Sequence, residues 1–430
     1  MPNRGLGLHV DMDIPQELID KIIDRVWDAD DSPSQTTTKA TSLVSKSWVE
    51  RSQHHLFHDI TFSFGPSFDQ WCDAVSPGPD GVSRHVRSLT IEGRGTYGEW
   101  ISEDSLERGL PFFDSFRNVQ ALRIRHWNIE PFPPELLTRC LAPFAGGVRI
   151  LQWDPHPQVL HEAWTRAVGM FPLTDYLLLF PNFFPFGLLS GIPVGPGHKK
   201  LVLSGDSAVQ CLARGGVELR FREIYIRCGP RTTIQDIIAI VNGCADRLEI
   251  LSIVGTRRGW AFFCVACPDP QFSPAIVIDA SNKHLLPSLL SGCHTLQELS
   301  IDWLPVDPAP EVHLIDSIPG GCIRSLRILP GQALWQNMWG GSFLHIESSR
   351  FMPQHESLAQ AIFRLGVRNS GRKISVWFII PRVPYAICEP LMECIIALWE
   401  KVGSVVSFGF QMTETDSPGT DGSHSFPPLA

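Results

Sequence analysis

Cys264, Cys267, Cys293 and His294 are the residues of this chain whose types come nearest to metal chemistry. Two thiolates spaced Cys-x-x-Cys can turn toward one ion, but a tetrahedral zinc shell needs a second pair. Downstream only Cys293-His294 lies within range, so Cys264 and Cys267 read as two thiols in a loop and no metal is expected. Gly93-Arg94-Gly95-Thr96-Tyr97-Gly98 fits the bare glycine pattern of a dinucleotide phosphate cradle. That chemistry also needs a helix directly behind the last glycine and an acid at the end of the next strand. Here a loose polar segment follows and the next apolar run ends at Arg125-His126, which reads as an inter-repeat loop without a cofactor. His161-Glu162-Ala163-Trp164-Thr165 would be a zinc-protease helix only with histidine at 165. His54, His55 and His58 cluster closely enough to hold a metal or sense pH, or simply to line a solvated helix face. No Gly-x-Ser-x-Gly elbow or Walker loop occurs, and the chain is expected not to be an enzyme.

The elements that would present a non-catalytic surface therefore matter more. Of 430 residues 43% are hydrophobic, with 13 Trp and 25 Phe, enough for a sizeable core and too many for a disordered chain. A net charge of −9 argues against nucleic acid as the partner, since that needs a basic footprint. The most apolar run, Tyr176 to Val194, is broken by Pro181, Asn182, Pro185 and Pro193, so no membrane span is expected. Eleven cysteines without framework spacing, behind an opening that lacks a secretory pattern, predict reduced thiols in the cytoplasm or nucleus.

After a tail over 1–12, residues 13–64 read as a small helical module. Asp13 can cap a helix with Pro15 in its first turn, and Ile14, Leu18, Ile22 and Val26 form its stripe, widened by Ile19, Ile23 and Trp27. A loop over 28–38 precedes a second helix, with Ala40, Leu43, Val44, Trp48 and Val49 on one side and Lys46, Glu50 and Arg51 on the other. A short third element, Gln53 to His58, leads into the alternating strand Ile60 to Phe64. Such a module is near the lower size limit for a core of its own and is expected to dock, either on the main domain or on a partner.

This segment resembles an F-box of the divergent form abundant in mushroom-forming basidiomycete fungi. The matching residues are Ile14-Pro15, Glu17-Leu18, Ile22-Ile23, Leu43-Val44-Ser45-Lys46-Ser47-Trp48 and His55-Leu56-Phe57, about an eighth of the chain. It departs from the family in having Ile14 where leucine is usual and a long acidic first loop. The resemblance implies that Ile14, Pro15, Leu18, Ile22, Leu43, Val44 and Trp48 form or support a face for a Skp-family adaptor, and through it a cullin ligase.

Beyond a turn-rich linker over 65–85, a motif recurs: apolar, two residues, apolar, one residue, apolar. Its central residues, Leu89, Leu122, Leu151, Leu201, Ile224, Leu251, Leu299 and Leu326, are spaced by 33, 29, 50, 23, 27, 48 and 27. The two long gaps are near twice the short ones, and each offers a candidate strand, Tyr176 to Phe180 and Ala275 to Asp279. This period predicts an irregular leucine-rich-repeat-like solenoid with a parallel sheet over 86–411, an α/β fold without the asparagine ladder of regular repeats. Arg372 to Pro381 and Val405 to Gln411 read as closing strands, Ala386 to Trp399 as a helix between them, and 412–430 as a disordered tail. Positions between the core residues would line the concave face, with Arg123, Arg125, Tyr225, Arg227, Glu298 and Asp302 as candidates for a protein substrate. The combined expectation is the substrate-recognition subunit of an SCF-type ubiquitin ligase. The alternative is a protein-interaction scaffold whose F-box-like cap binds no adaptor.

Overall fold

The structure is a computed structural model. It describes residues 15–28, 38–63, 81–93, 102–155, 166–179, 199–214, 219–228, 232–255, 285–303, 309–330, 352–369, 372–381 and 400–413, apart from single positions within these ranges, together with isolated residues such as Phe68 and Ile396. The expectations at Ile14, 94–98, 161–165, 264–267, 275–279, most of 386–399 and the tail beyond 413 lie outside the described residues; Met412 and Thr413, expected in the disordered tail, instead pair with Ile380 and Pro381 as the end of a strand.

Twelve described strands follow one another in chain order in a single sheet. They are β1 (Asp59–Ser63), β2 (Ser88–Glu92), β3 (Ala121–Trp127), β4 (Ile150–Pro155), β5 (Tyr176–Leu179) and β6 (Lys200–Ser204), followed by β7 (Glu223–Cys228), β8 (Ile250–Gly255), β9 (Glu298–Trp303), β10 (Ser325–Pro330), β11 (Ile374–Pro381) and β12 (Val406–Thr413). The helices are α1 (Gln16–Asp28), α2 (Lys46–Leu56), α3 (Glu103–Phe113), α4 (Pro134–Ala145), α5 (Asp206–Arg214), α6 (Ile234–Asn242), α7 (Leu286–Leu290), α8 (Ala309–Ser317) and α9 (Met352–Arg368), with one 3-10 turn at Val82–His85. The chain divides into two compact units, residues 1–123 with 135–148, and residues 124–134 with 149–430.

In the second unit the alternation of each strand becomes a row across the sheet. Leu151, Leu177, Leu201, Ile224, Leu251, Leu299, Leu326 and Val376 align in parallel register from β4 to β11, and none is more than 3% exposed. Two residues on, Trp153, Leu179, Leu203, Ile226, Ile253, Ile301, Ile328 and Phe378 form the second buried row. Burying each such side chain contributes about 1.5–3 kcal/mol, and only the neighbouring repeats make that burial possible. A shared carbonyl marks where each new strand starts: Arg222 O accepts Glu249 N at 2.8 Å and Ile250 N at 3.0 Å, and Glu249 O accepts Gln297 N at 2.7 Å and Glu298 N at 3.0 Å.

The strand expected in the first long gap is β5, between β4 and β6. The second gap behaves otherwise. β8 and β9 are hydrogen-bonded neighbours, Ile250 opposite Glu298, so the sheet has no rung between them, and residues 275–279 themselves lie outside the described residues. Gap length alone cannot tell a skipped rung from a long insertion between adjacent ones. The closing strands are found as β11 and β12, paired over eight residues.

The first unit begins with three helical segments whose bounds differ from the expected ones. A single turn over 38–41 ends early, residues 42–44 form a turn, and α2 then runs unbroken into the expected third element, ending at Leu56. Ser45 is the cause: its backbone is extended at φ −159° and ψ 155°, and its hydroxyl accepts Ser47 N at 3.2 Å, a helix start in the middle of the expected second helix. Ile19 and Ile23 of α1 are buried. Asp24 binds Arg51 at 2.7 and 2.9 Å and His55 at 2.7 Å, and the Arg51 hydrogen bond, against some burial, brings its carboxyl down to about 2. β1 pairs in parallel with β2, Ile60 beside Leu89 and Phe62 beside Ile91, so the strand behind the helices is the first rung of the sheet. Around it Phe62, Phe68, Phe113 and Phe144 form a chain of ring contacts at 5.2, 5.9 and 6.0 Å.

Leu251→Ala, which empties a fully buried site in the middle of the first row, is expected to cost about 2–5 kcal/mol in chemical denaturation. Stability should also depend on pH. The His54 ring packs against His55, His58 and His85 at 5.4, 5.9 and 6.0 Å, and burial together with the Arg51 charge pushes its pKa down to about 4. The unfolded chain takes up that proton near pH 6.5 and the folded one only near 4, so stability falls as pH falls through this window. Thermal melts between those pH values should show the loss, and His54→Gln should reduce it, with His85, whose pKa burial also lowers, keeping part of it.

Candidate interaction surfaces

On the helical module the apolar stripe is wider than the core behind it. Ile19 and Ile23 face inward at 4% and 0% exposure, while Leu18 and Ile22, one residue earlier in each pair, stand 50% and 45% exposed. Gln16 Nε2 donates to Ser47 O at 2.9 Å and to Asp20 Oδ1 at 2.8 Å, joining the start of α1 to the first turn of α2. That join ties the residue after Pro15, itself exposed, to Ser47, three positions past Val44, and Leu43 and Val44 in the preceding turn are 86% and 65% exposed. Trp48 is half-buried. Nine large apolar side chains are exposed among the described residues, and four of them are these. Leu43 and Val44 lie in the turn just before the helix start at Ser45.

On the sheet, the polar positions between the buried rows of β6 to β10 form a charge-paired network. Lys200 Nζ lies 3.9 Å from Glu223 Oε2 and 4.2 Å from the centre of the Tyr225 ring, and the Tyr225 hydroxyl donates to Glu223 Oε2 at 3.4 Å. Arg327 Nε sits 2.9 Å from Glu298 Oε1, off the line of a straight N–H···O bond, so the pair is held by charge. Burial raises the Glu298 carboxyl and the Tyr225 phenol, the latter further through Glu223, and burial lowers the Lys200 ammonium and the Arg227 guanidinium. The phenol thus stays a hydrogen-bond donor at neutral pH, in a surface suited to polar recognition.

Of the residues expected on this face, Tyr225 belongs to a cluster with Lys200 and Glu223 and Glu298 to a pair with Arg327. Arg227 is half-buried on β7, aligned with Ser204 of β6 and Val254 of β8. Asp302 is aligned with Leu329, and its side chain lies outside the described residues. Arg123 and Arg125 are half-buried and alternate with buried Leu122 and Ile124 on β3. There the alternation slips: His126 has φ 51°, both Arg125 and His126 are half-buried, and Trp127 returns to the core at 1% exposure. A left-handed residue inside a strand produces this kind of bulge, and it keeps the imidazole out of the core, 3.6 Å from Asp154. Sequence alone does not single out Lys200, Glu223 and Arg327. Their strand positions are legible there, but the register that sets Lys200 against Glu223 is not.

Arg327→Ala removes the charge partner of a carboxylate that burial already disfavours, and is expected to cost about 1–3 kcal/mol in chemical denaturation. Glu298→Gln added to it should recover part of that loss, the signature of a pair rather than of packing.

No protein-family model matches this chain, and no curated protein matches it. Among solved structures it is similar to the leucine-rich repeat-containing protein LegL7 from Legionella pneumophila, at 12% identity and a TM-score of 0.35 over 85% of this chain and 88% of that one. It is also similar to the structure of the Rad7 and Elc1 complex in yeast, at 14% identity and a TM-score of 0.35 over 95% of this chain and 91% of that one. Likenesses of this size carry no functional weight, and the repeat architecture rests on the strand register described above.

Proposed function

We propose that this chain is a substrate-recognition adaptor of an SCF-type ubiquitin ligase, its helical module docking on a Skp-family protein and its sheet domain holding a protein substrate. The observation that carries the reading is the set Leu18, Ile22, Leu43 and Val44, exposed together on a module whose sequence resembles an F-box. Leaving large apolar side chains in water forgoes about 1.5–3 kcal/mol each, a cost offset when a partner covers them. The mechanism is proximity. Tethering raises the effective concentration of substrate lysines at the ubiquitin-charged enzyme, and no residue of this chain makes or breaks a bond.

The test is a pull-down of the full chain with a purified Skp-family adaptor, beside Leu18→Asp/Leu43→Asp. Carboxylates at two central apolar positions should weaken binding by about 2 kcal/mol or more each, beyond detection together, with the circular dichroism spectrum unchanged. Absence of binding by the unaltered chain, under conditions where a known F-box binds, would favour the scaffold reading.

A further inference from the structure

The edge of the second unit where its strands begin has a charge opposite to that of the chain. The protein carries 45 acidic against 36 basic side chains. Yet the turns leading into β4, β7, β8, β10 and β11 hold six exposed arginines: Arg149, Arg220, Arg222, Arg247, Arg324 and Arg372. The parallel register places them along one edge, since Arg149, Arg222 and Arg324 each occupy the position just before their strand, next to the carbonyl that seats the following rung. From β4 to β11 this edge crosses seven inter-strand steps, or roughly 34 Å at ~4.8 Å per step, the reach of about ten residues of extended chain.

Part of this charge has local uses. Arg149 Nη1 donates to Leu173 O at 3.2 Å, Arg222 lies 3.4 Å from Glu249, and Arg247 lies 3.0 Å from Asp246. These side chains are 47–55% exposed, and ion pairs in such surroundings are worth little and are readily exchanged for a partner's carboxylates. Guanidinium groups bind carboxylates through two parallel N–H···O bonds, so arginine in this array favours an anion of that shape. The array is local on a chain of net charge −9, so a long polyanion such as nucleic acid is repelled beyond it, while a short acidic segment of protein is not. No exposed Phe, Tyr or Trp lies in these turns among the described residues, so the stacking platforms of nucleic-acid grooves are missing from them.

We infer that this arginine edge binds an acidic, extended segment of a protein. Such a segment is the chemical class that the recognition half of the proposed adaptor holds, and to that extent the inference rests on that reading. Its test does not involve the helical module, so the two fail separately.

The measurement is fluorescence anisotropy of the full chain with a labelled decapeptide of aspartate and glutamate, beside a single-stranded DNA decamer. The comparison variant is Arg220→Gln/Arg222→Gln/Arg324→Gln. The unaltered chain should bind the peptide with affinity that falls as salt is raised. The variant should bind about tenfold or more weakly with its melting temperature unchanged. Should the triple variant fold poorly, Arg324→Gln alone should still weaken binding measurably. No peptide binding at low salt, equal binding by the variants, or tighter binding of the DNA than of the peptide would each overturn the inference.

Discussion

A single strand-turn-helix unit of this chain cannot bury its own apolar side, and everything else in the second unit follows from that. The constraint is met by register. Ile224 and its counterparts on neighbouring strands align only when each strand starts opposite the one before. The carbonyl just ahead of a strand enforces the start by accepting two N–H groups from the next rung, as Arg222 O and Glu249 O do. Ile224, Leu251 and Leu299 then stack as one row at full burial. The same alignment puts the intervening polar positions side by side, so that Lys200 meets Glu223 and Glu298 meets Arg327, and it lines up the turn residues along the edge where the strands begin.

The helical module works by a different division of one stripe. Neighbouring apolar positions on α1 point to two places: Ile19 and Ile23 supply the contact inside the module, and Leu18 and Ile22 remain in water. The Asp24 bridge to Arg51 and His55 holds α1 against α2, so the exposed pair keeps a fixed position relative to Leu43 and Val44.

Much of the fold was legible because the burial period is a direct consequence of strand geometry. The motif spacing located every strand from β2 to β10 that carries it, and the doubled gap before Leu201 located β5. The same arithmetic failed between Leu251 and Leu299, where β8 and β9 pair directly, because spacing does not distinguish an inserted loop from a missing rung. The helix break at Ser45 was missed because Leu43, Val44 and Trp48 keep helical spacing across it, while the cap depends on one hydroxyl and an extended backbone. On the sheet, alternation places Tyr225 with Glu223 on one face of β7, and Glu298 on the same side, but the meetings of Glu223 with Lys200 and of Glu298 with Arg327 depend on cross-strand register. The slip at His126 was invisible for a similar reason: a left-handed residue leaves no mark in an apolar pattern that Trp127 happens to resume.

The central claim is that the exposed apolar face of the helical module is a docking surface. Hydrogen–deuterium exchange of the full chain, with and without a Skp-family adaptor, tests it most directly, because it reports where contact occurs. Slowed exchange on adding the adaptor, concentrated in residues 15–25 and 38–50, is the expected result. Unchanged exchange in those segments, or protection confined to the sheet, would contradict it.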